Sequence, residues 1–301
     1  MITLAITGGT GFVGKRLIEQ ALAAGYRVRA LTRRTQPARE GVTWVAGALD
    51  DTRALDELVA GADVVIHVAG VVNTPTREGF VAGNITGTQA VVDAARAAGV
   101  RRFVHVSSLA AREPQLSVYG WSKHGAEDVV TASGLDWTMV RPSGVFGPGD
   151  TDWLDMFRAA KHGIALLPPP GKLAVIHVDD LARLLLAVVA TNPGQVIYEA
   201  DDGRPGGWTH RDFARAIGTA VGRRVLAIDL PKPVMLAAAR LDRLTRGDKA
   251  KLTPDRVGYF CHPDWTIDPA RAPDPALWHA QIPTPAGLAA TAAWYREHSL
   301  L

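Results

Sequence analysis

The first half of the chain alternates short runs rich in valine and isoleucine with segments of helical periodicity. Strands that are apolar along their whole length are typical of parallel sheets, because helices cover both faces of such a sheet. The alternation therefore predicts an α/β fold with a doubly wound parallel sheet. The predicted strands are Ile2–Ile6, Arg27–Leu31, Thr43–Val45, Val64–Val68, Arg102–Val106 and Trp137–Val140, and the predicted helices are Phe12–Ala24, Thr52–Ala60, Val81–Ala98 and Tyr119–Ser133.

After Arg141 this alternation stops. The Gly- and Pro-rich stretch Pro142–Asp150 predicts a loop, and helical segments then outnumber strands. We therefore expect a first domain at 1–150 and a smaller, α-rich C-terminal lobe at 151–301, with sheet elements that the two can share. The lobe's predicted helices are Asp152–Lys161, Asp179–Ala190, Thr209–Val221, Pro233–Arg246 and Thr284–His298, and its predicted strand is Gln195–Tyr198.

The composition excludes several classes of protein. The 301 residues carry a net charge of +3 without an extended basic stripe, which argues against nucleic acid as a partner. Cys261 is the one cysteine, and the nine histidines lack metal-ligand spacing, so neither a disulfide nor a metal site is predicted. No apolar run approaches the roughly 20 residues of a membrane span, and no signal-peptide pattern is present. These features predict a cytoplasmic protein.

The stretch TGGTGFVG, residues 7–14, lies between the first predicted strand and the first predicted helix. The first N–H groups of a helix have no partner within it and, with the helix dipole, favour an anion. Gly8 and Gly11 leave room for a phosphate, and Gly14 lets the helix pack closely on the strand. The spacing differs from the dinucleotide fingerprint G-x-G-x-x-G, so a tight turn without a ligand is the alternative.

Two basic residues, Arg33 and Arg34, follow the second predicted strand. A carboxylate at this place would hold the adenosine ribose hydroxyls of NAD. Two guanidinium groups instead suit the 2′-phosphate of NADP, which they bind by paired hydrogen bonds. The sequence therefore predicts NADP (NADPH) as the cofactor, with NAD as the alternative. If no ligand binds here, the two arginines belong to an ordinary solvated basic loop.

A second group of polar residues has a chemical logic of its own. Ser107 and Ser108 end a predicted strand, and Tyr119 and Lys123 lie one turn apart on one face of a helix. A free tyrosine has a pKa of about 10, and a neighbouring ammonium lowers it, so that the phenol becomes a usable acid and base. Ser108 can hydrogen-bond a substrate oxygen on which charge develops. The alternative is an ordinary helix start with a surface lysine.

Together, these motifs make the chain resemble an extended short-chain dehydrogenase/reductase of the epimerase/dehydratase-like group, along nearly its whole length. The resemblance implies a Rossmann-type sheet and an oxidoreductase that moves a hydride between a nicotinamide cofactor and a ketone, aldehyde or secondary alcohol. The matching motifs are TGGTGFVG, HVAG (67–70), NITGTQAVVDAARAAGVRRFVHVSS (84–108), YGWSK (119–123), VRPSGVFGPG (140–149), VIHVDDLARLL (175–185), DWTIDPARA (264–272) and TPAGLAATAAWYREHSLL (284–301).

The resemblance also implies roles for individual residues. Tyr119 would be the general acid/base, Lys123 its electrostatic partner and Ser108 the group that polarises the substrate. The first domain would bind NAD(P) and the lobe the substrate. The implied cofactor-binding residues are Thr7, Gly8, Gly11, Phe12, Val13 and Gly14 at the pyrophosphate, Arg33 and Arg34 at the 2′-phosphate, Leu49 near the adenine, Val68, Ala69 and Gly70 beneath the nicotinamide ribose, Tyr119 and Lys123 at the ribose hydroxyls, and Pro142, Ser143 and Val145 at the nicotinamide.

The sequence departs from the family pattern at two places. Ala48 stands where the family often has an aspartate that contacts adenine, so Leu49 can supply only a backbone or apolar contact. Ser108 is followed by Leu109-Ala110-Ala111 rather than the Thr-Asp-Glu of nucleotide-sugar dehydratases, which argues against dehydration. A nucleotide-sugar epimerase of the same fold and a non-catalytic NADP-binding protein are the alternatives. A serine hydrolase ranks last, because no G-x-S-x-G motif is present.

The lobe gives less information about the substrate. Phe157–His177 is mostly apolar and lacks the arginine spacing that a diphosphate sugar would need. The resemblance to steroid-type dehydrogenases, which have a helix in the region of Leu230–Arg246, implies a hydrophobic carbonyl or alcohol substrate. Leu230–Arg246 combines an apolar stripe with a basic end, and it can dock in the core, form a homodimer face or lie on a membrane surface. Asp179 and Asp180 are expected to cap the following helix, and His177 to hydrogen-bond beside them.

Overall fold

The computed structural model describes residues 1–247, 250 and 252–301. Its contacts divide the chain into two units. The first unit contains Met1–Arg141, Leu181–Glu199 and Pro273–Trp278, and the second contains Pro142–Asp180, Ala200–Ala272 and His279–Leu301. The chain thus returns to the first unit after residue 141, which a single boundary at residue 150 does not describe.

The helices and strands follow one another in the order that the sequence predicts for an α/β protein. Short 3₁₀ turns lie at Leu109–Arg112 and Pro269–Arg271, and a π-helical turn lies at Val81–Thr86. The strands are β1 (Thr3–Thr7), β2 (Arg27–Thr32), β3 (Val42–Ala46), β4 (Val64–His67), β5 (Arg102–Val106), β6 (Asp136–Pro142), β7 (Gly144–Phe146), β8 (Ile164–Leu167), β9 (Lys172–Leu173), β10 (Val175–His177), β11 (Val196–Ala200), β12 (Trp208–Thr209), β13 (Leu226–Asp229) and β14 (Asp264–Trp265). The helices are α1 (Phe12–Ala23), α2 (Thr52–Val59), α3 (Arg77–Phe80), α4 (Gly87–Ala97), α5 (Val118–Thr131), α6 (Leu154–Lys161), α7 (Val178–Thr191), α8 (His210–Val221), α9 (Lys232–Arg246), α10 (Pro254–Phe260) and α11 (Thr284–Glu297).

The first unit is built on a seven-stranded sheet with the order β3-β2-β1-β4-β5-β6-β11. The pairings from β3 to β6 are parallel, and Ile6 of β1, for example, lies beside Ile66 of β4. The chain order reverses between β1 and β4, and ligands of such sheets bind at the carboxyl ends of the strands at this switch point. The prediction of a doubly wound parallel sheet of Rossmann type is confirmed.

The helices of the first unit begin where the sequence supplies capping groups. The Asp51 carboxylate accepts the N–H of Ala54 at the start of α2 (3.1 Å), and the Ser117 hydroxyl accepts that of Gly120 at the start of α5 (2.9 Å). The apolar sides of these helices pack on the sheet and cover its strands. Every residue of β5, for example, is buried. One cluster in this core consists of Ala5, Leu31, Val45, Ala54, Leu55, Leu58, Val59, Val65, Val91, Val92, Ala94, Ala95, Val100, Phe103, Val130, Leu135, Trp137 and Met139.

The second unit contains short sheets as well as helices. β7 pairs with β10, β8 with β13, and β9 lies between β12 and β14. Its core includes Phe146, Phe157, Phe213 and Tyr295, which pack edge to face in pairs such as Phe157 with Tyr295. The prediction of an α-rich C-terminal region is confirmed, with helices within two residues of the predicted bounds. The prediction of a loop throughout Pro142–Asp150 was wrong, because β7 forms there.

Candidate active site

The glycine-rich turn joins β1 to α1 at the switch point of the sheet. Gly8 has a φ of +71°, and a Cβ there would lie 2.7 Å from the backbone nitrogen of Ala69. A Cβ at Gly14 would clash with the carbonyl oxygen of Gly8, so α1 packs directly on the turn. Gly11 is the N-cap of α1, and none of the described side chains caps the helix there. The first N–H groups of α1, beginning at Phe12, are therefore left for an anion such as a phosphate.

A chain of buried hydrogen bonds ties the loop after β4 to the glycine-rich turn. The Thr7 hydroxyl lies 2.7 Å from His67 Nδ1 and accepts the N–H of Ala69 at 3.2 Å. His67 Nε2 lies 3.0 Å from the Thr88 hydroxyl, which itself donates to a backbone carbonyl. Thr88 therefore accepts from Nε2–H, and Nδ1 accepts from Thr7. Burial, followed by the Lys123 ammonium, lowers the pKa of His67 to about 3, so the ring stays neutral.

Asn84 connects the same loop to α5. Its Oδ1 accepts the N–H of Val71 (2.6 Å), and its Nδ2 donates to the Val71 carbonyl (2.9 Å) and to Ser122 Oγ (2.8 Å). Ser122 in turn donates to the Tyr119 carbonyl at 2.8 Å. A Cβ at Gly70 would lie 3.1 Å from Asn84 Oδ1, which explains a small residue there. The π-helical turn that carries Asn84 is a feature frequent at functional sites.

Lys123 lies buried on α5 beneath this loop. Its Nζ donates to the carbonyl of Val106, the last residue of β5, at 2.9 Å. A Cβ at Gly70 would lie 3.6 Å from the same Nζ, so the ammonium and the loop are neighbours. Burial lowers the pKa of Lys123 to about 8, and the Glu127 carboxylate one turn further on opposes that shift. The ammonium is thus fixed at the carboxyl end of β5 and is charged at neutral pH.

Ser107 and Ser108 follow β5 and have different surroundings. Ser107 is buried and donates to Glu127 Oε1 at 2.5 Å. Ser108 is half-buried, and its Oγ accepts the N–H of Ala110 at 3.2 Å as the cap of the 3₁₀ turn. Among the described residues, Ser108 is the serine of this pair whose hydroxyl proton has no acceptor. Its hydroxyl can therefore donate to a ligand.

Tyr119 lies in the first turn of α5, against the 3₁₀ turn that Ser108 begins. A Cβ at Gly120 would lie 2.6 Å from the Ala110 carbonyl oxygen, so the two turns are in close contact. The Tyr119 side chain is half-buried, and its ring centroid lies 6.2 Å from that of Phe80. The fold therefore gathers the three predicted catalytic residues at one end of β5.

A buried ion network beside these residues was not predicted from the sequence. Arg141 donates to both carboxylate oxygens of Glu127 at 2.8 and 2.6 Å and to Glu199 at 3.3 Å. Arg112 adds a second guanidinium, 3.2 Å from Glu199. Two carboxylates thus balance two guanidinium groups in a region where an unpaired charge would be costly. Glu127 lies one turn after Lys123, and this spacing is the sequence signal that could have indicated the carboxylate of the network nearest to Lys123.

The predicted adenosine end of the site contains Arg33, Arg34 and Leu49. Both arginines are exposed at the carboxyl end of β2, where the Thr32 hydroxyl donates to the Arg34 carbonyl at 2.6 Å. No ion pair of either guanidinium occurs among the described residues. Leu49 is half-buried and packs against Gly87 of α4, where a Cβ would lie 2.8 Å from the leucine Cδ1. Leu49 can therefore offer apolar contact, as expected.

Three predicted nicotinamide contacts belong to the second unit. Pro142 ends β6, and the N–H of Ser143 donates to the Ala200 carbonyl at 3.1 Å. The Ser143 hydroxyl is buried and has no hydrogen-bond partner among the described residues. The carbonyl of Val145, in β7, accepts from Trp153 Nε1 at 2.9 Å. The contact of these residues with a cofactor stays a prediction.

The residues around the start of α7 have structural partners. His177 Nδ1 accepts the N–H of Asp179 at 3.2 Å, as expected. Asp179 and Asp180 both lie inside α7 rather than before it. The buried carboxylate of Asp180 accepts the N–H groups of Gln281 (2.8 Å) and Ile282 (3.0 Å). Its side chain therefore holds the segment before α11 and does not have the capping position that we predicted.

Two further features concern the described residues as a whole. No group of histidine, cysteine, aspartate or glutamate side chains among them could hold a metal ion. None of their helices is both long and apolar enough to cross a membrane.

The residues at the switch point fit a dinucleotide. The turn offers helix N–H groups without a side chain in the way, and Gly8 and Gly70 stand where a Cβ would crowd backbone or side-chain atoms. The exposed arginines provide cations at the end of β2. These residues therefore fit the phosphate groups of a dinucleotide.

Known proteins support this assignment. Residues 8–192 match the family described as NAD(P)H-binding. The chain is similar to a ceramide reductase of Caulobacter vibrioides, with 38% identity over 305 residues that cover 97% of this chain and 94% of that protein. It is also similar to the 4-hydroxy-2-methyl-3-oxo-4-farnesyl-3,4-dihydroquinoline-1-oxide ketoreductase of Stigmatella aurantiaca, at 30% identity and 78% coverage of each. Among solved structures, MoeE5 in complex with UDP-glucuronic acid and NAD has a TM-score of 0.77 at 20% identity, covering 99% of this chain and 100% of that chain.

The family match includes the glycine-rich turn, the loop after β4 and α5, which are the parts that form the candidate site. The solved structure shares the fold, and the relatives are named as reductases. The function at this level is that of the NAD(P)-dependent reductases and dehydrogenases. This chain belongs to the NAD(P)H-binding family, with the Rossmann fold of the extended short-chain dehydrogenase/reductase and epimerase/dehydratase-like group.

Proposed function

We propose that this protein is an NADPH-dependent reductase of ketones or aldehydes, with Tyr119 as its general acid. The observation that carries the proposal is the buried Lys123, whose Nζ is held 2.9 Å from the Val106 carbonyl, one helical turn from Tyr119. A surface lysine at a helix start would have no reason to be buried at a strand end. Ser108, with a hydroxyl proton available to a ligand, completes the group.

The chemistry follows from the three side chains. When bound, NADPH supplies a hydride to the carbonyl carbon of the substrate. Tyr119 donates its phenolic proton to the carbonyl oxygen, so the product is an alcohol and the residue is left as a phenolate. The Lys123 ammonium stabilises that phenolate electrostatically. Ser108 donates a hydrogen bond to the same oxygen while negative charge develops on it. In the reverse direction, the Tyr119 phenolate accepts the proton of the alcohol.

The preference for NADPH rests on Arg33 and Arg34. Both guanidinium groups are exposed at the carboxyl end of β2, the strand that pairs with β1 and its glycine-rich turn. They can bind a 2′-phosphate by charge-assisted hydrogen bonds, whereas the ribose hydroxyls of NAD would gain no carboxylate partner from them.

For the substrate, we propose a long-chain, amphiphilic ketone, with a ceramide-type lipid that carries a ketone as the first compound to test. The similarity to the ceramide reductase extends over almost the full length of both proteins, and so includes the second unit. The second relative is named for a farnesylated substrate, which is also largely apolar. The mostly apolar segment Phe157–His177 agrees with this choice.

The test is the loss of NADPH absorbance with a panel of carbonyl compounds: a keto-ceramide in mixed micelles, a steroid ketone, an aryl ketone and an aldehyde. We expect oxidation with at least one apolar ketone and little with NADH. Tyr119→Phe should lower kcat about 100- to 10,000-fold, the usual contribution of a general acid, and leave NADPH binding intact. Interconversion of UDP-sugars without oxidation of added NADPH would instead identify an epimerase, and full activity of Tyr119→Phe would contradict its role.

A further inference from the structure

The second unit exposes large apolar side chains on three elements. Of the ten large hydrophobic side chains that the described residues expose, seven lie on β8, β13 and α9. On the small parallel sheet, the exposed residues are register partners, since Leu226 lies beside Ile164 and Ile228 beside Leu166. On α9, Leu241 is 62% exposed and Leu244 is 83% exposed. Solitary exposed leucines are ordinary, but groups of exposed apolar side chains on one element mark candidate interaction surfaces, and α9 carries such a group.

The apolar residues of α9 form two stripes. The inner stripe, Met235 and Ala239, is buried in a cluster with Val257 of α10. The other stripe lies on the opposite side of the helix, because positions 234, 237, 241 and 244 are separated by three or four residues and all are exposed. A helix of a globular protein needs one apolar stripe to dock. The second one, which we call the outer stripe, has no described partner in this chain.

The charges beside the outer stripe indicate its partner. Arg240 is exposed on α9 next to it, and Arg243 is exposed on the flank of the helix between Arg240 and the inner stripe. The carboxylate of the helix, Asp242, is half-buried and already paired, with Arg246 at 3.2 Å and with the N–H of Leu252 at 2.9 Å. The surface is thus apolar and cationic. A second copy of the same face would place cations opposite cations, whereas an anionic lipid surface supplies apolar acyl chains and phosphates together.

We infer that α9 docks this protein on anionic lipid membranes, in the plane of the headgroups. Val234, Leu241 and Leu244 would enter the boundary between headgroups and acyl chains, and Arg240 and Arg243 would contact lipid phosphates. A helix of this length measures only about 22 Å and lies on a membrane rather than crossing it. The inference goes beyond the proposed reductase activity and does not depend on it, since binding to lipid requires neither cofactor nor turnover.

The experiment is co-sedimentation of the full-length protein with vesicles. One set consists of phosphatidylcholine alone, and in the other about a third of the lipid is phosphatidylglycerol. We expect binding to the anionic vesicles that weakens as salt is raised, and much weaker binding to the neutral ones. Arg240→Gln/Arg243→Gln should weaken binding about 30-fold, from the usual contribution of a basic residue at such a surface. Leu241→Ser/Leu244→Ser should weaken it about tenfold or more.

Matched controls separate these effects from general changes in charge or hydrophobicity. Arg27→Gln/Arg53→Gln removes the same charge from exposed positions of the first unit, and Ile2→Ser removes an exposed apolar side chain there. These variants should bind the anionic vesicles like the wild type. Equal binding by the α9 variants and their controls would overturn the inference. Absence of vesicle binding, with a dimer in sedimentation velocity that Leu241→Ser/Leu244→Ser dissociates, would also overturn it and identify a second copy as the partner.

Discussion

Lys123 links a buried charge to the pH range in which the enzyme can work. Burial lowers its pKa to about 8, and Glu127 opposes that shift. A lysine is charged below its pKa, so kcat/KM should fall as pH rises through about 8. In Glu127→Gln the neighbouring negative charge is gone, the pKa of Lys123 decreases, and the fall should begin at lower pH. The measurement is the pH profile of kcat/KM, which reports groups of the free enzyme.

Glu199→Gln is the matched control for that profile. It removes a carboxylate from Arg141 in the same network, but Glu199 is not among the causes that shift the pKa of Lys123. Both variants should lower the melting temperature, since each leaves a buried guanidinium with fewer partners. Only Glu127→Gln should move the pH profile. Equal displacement of the two profiles would show that the network acts through structure alone.

Arg33 determines the choice of cofactor if the 2′-phosphate lies at the end of β2. Hydrogen bonds to a charged group contribute enough that Arg33→Asp should raise the Kd of NADPH about 10- to 100-fold. The Kd of NADH should change less or improve, because the new carboxylate can accept the ribose hydroxyls. Arg39→Asp makes the same change of charge at another exposed position of this segment. An equal loss of NADPH affinity in the Arg39 variant would contradict a specific contact. Titrations followed by cofactor fluorescence measure the Kd of NADPH and of NADH for the wild type and for both variants.

At the residue scale, the sequence indicated the chemistry better than the supporting contacts. Tyr119, Lys123 and Ser108 are recognisable because their spacing to a strand end and a helix start is short. The partners that fix them are not, since Arg141 and Glu199 are far apart in the chain and meet because β6 and β11 are neighbours in the sheet. Pairing between distant strands has no signal in a single sequence.

Two glycines of the first turn have separable roles at the scale of helix and strand. A Cβ at Gly14 would clash with the backbone of Gly8, so Gly14→Ala should force α1 away from β1 and destabilise the protein by about 1 to 3 kcal/mol. A Cβ at Gly11 would lie 3.3 Å from the Gly8 carbonyl oxygen, which a small adjustment relieves. Gly11→Ala should therefore keep the melting temperature but weaken NADPH binding, because its methyl group occupies the space of the phosphate. A loss of stability in Gly11→Ala and none in Gly14→Ala would contradict the assignment of helix packing to Gly14 and of cofactor binding to Gly11.

The helices and strands that could be predicted are those long enough to show a pattern of apolar and polar residues within their own sequence. α1 and β5 have nearly the predicted bounds, because a buried strand of five residues and a helix of twelve residues each show their periodicity. β9, β12 and β14 are two residues long each and could not be predicted. Strands this short form only because separate segments meet, and Trp208 of β12, for example, is positioned by its pairing with Leu173.

For the whole molecule, the path of the chain decides whether its first part can fold alone. A fragment of residues 1–150 would contain the glycine-rich turn and the predicted catalytic residues, but not α7 or β11. Within the first unit, Arg102 donates to the Val188 carbonyl (2.9 Å), Arg141 to Glu199 (3.3 Å) and Thr138 to the Gly194 carbonyl (2.8 Å). The fragment would remove one acceptor from each of these donors and expose the edge of β6. Such losses cost several kcal/mol in sum, a large part of the total stability of a domain.

We therefore expect the fragment 1–150 to show no cooperative thermal transition by circular dichroism and no measurable NADPH binding. The fragment 1–199 restores α7, most of β11 and the three acceptors, so it should retain more helix and bind NADPH more tightly than 1–150, with the full chain as the reference. Because both fragments contain every predicted first-unit contact to the cofactor, a difference between them measures what residues 151–199, which include the returning segment 181–199, contribute. A cooperative transition of 1–150 close to that of the full chain, with unchanged NADPH affinity, would show that the first unit does not need it.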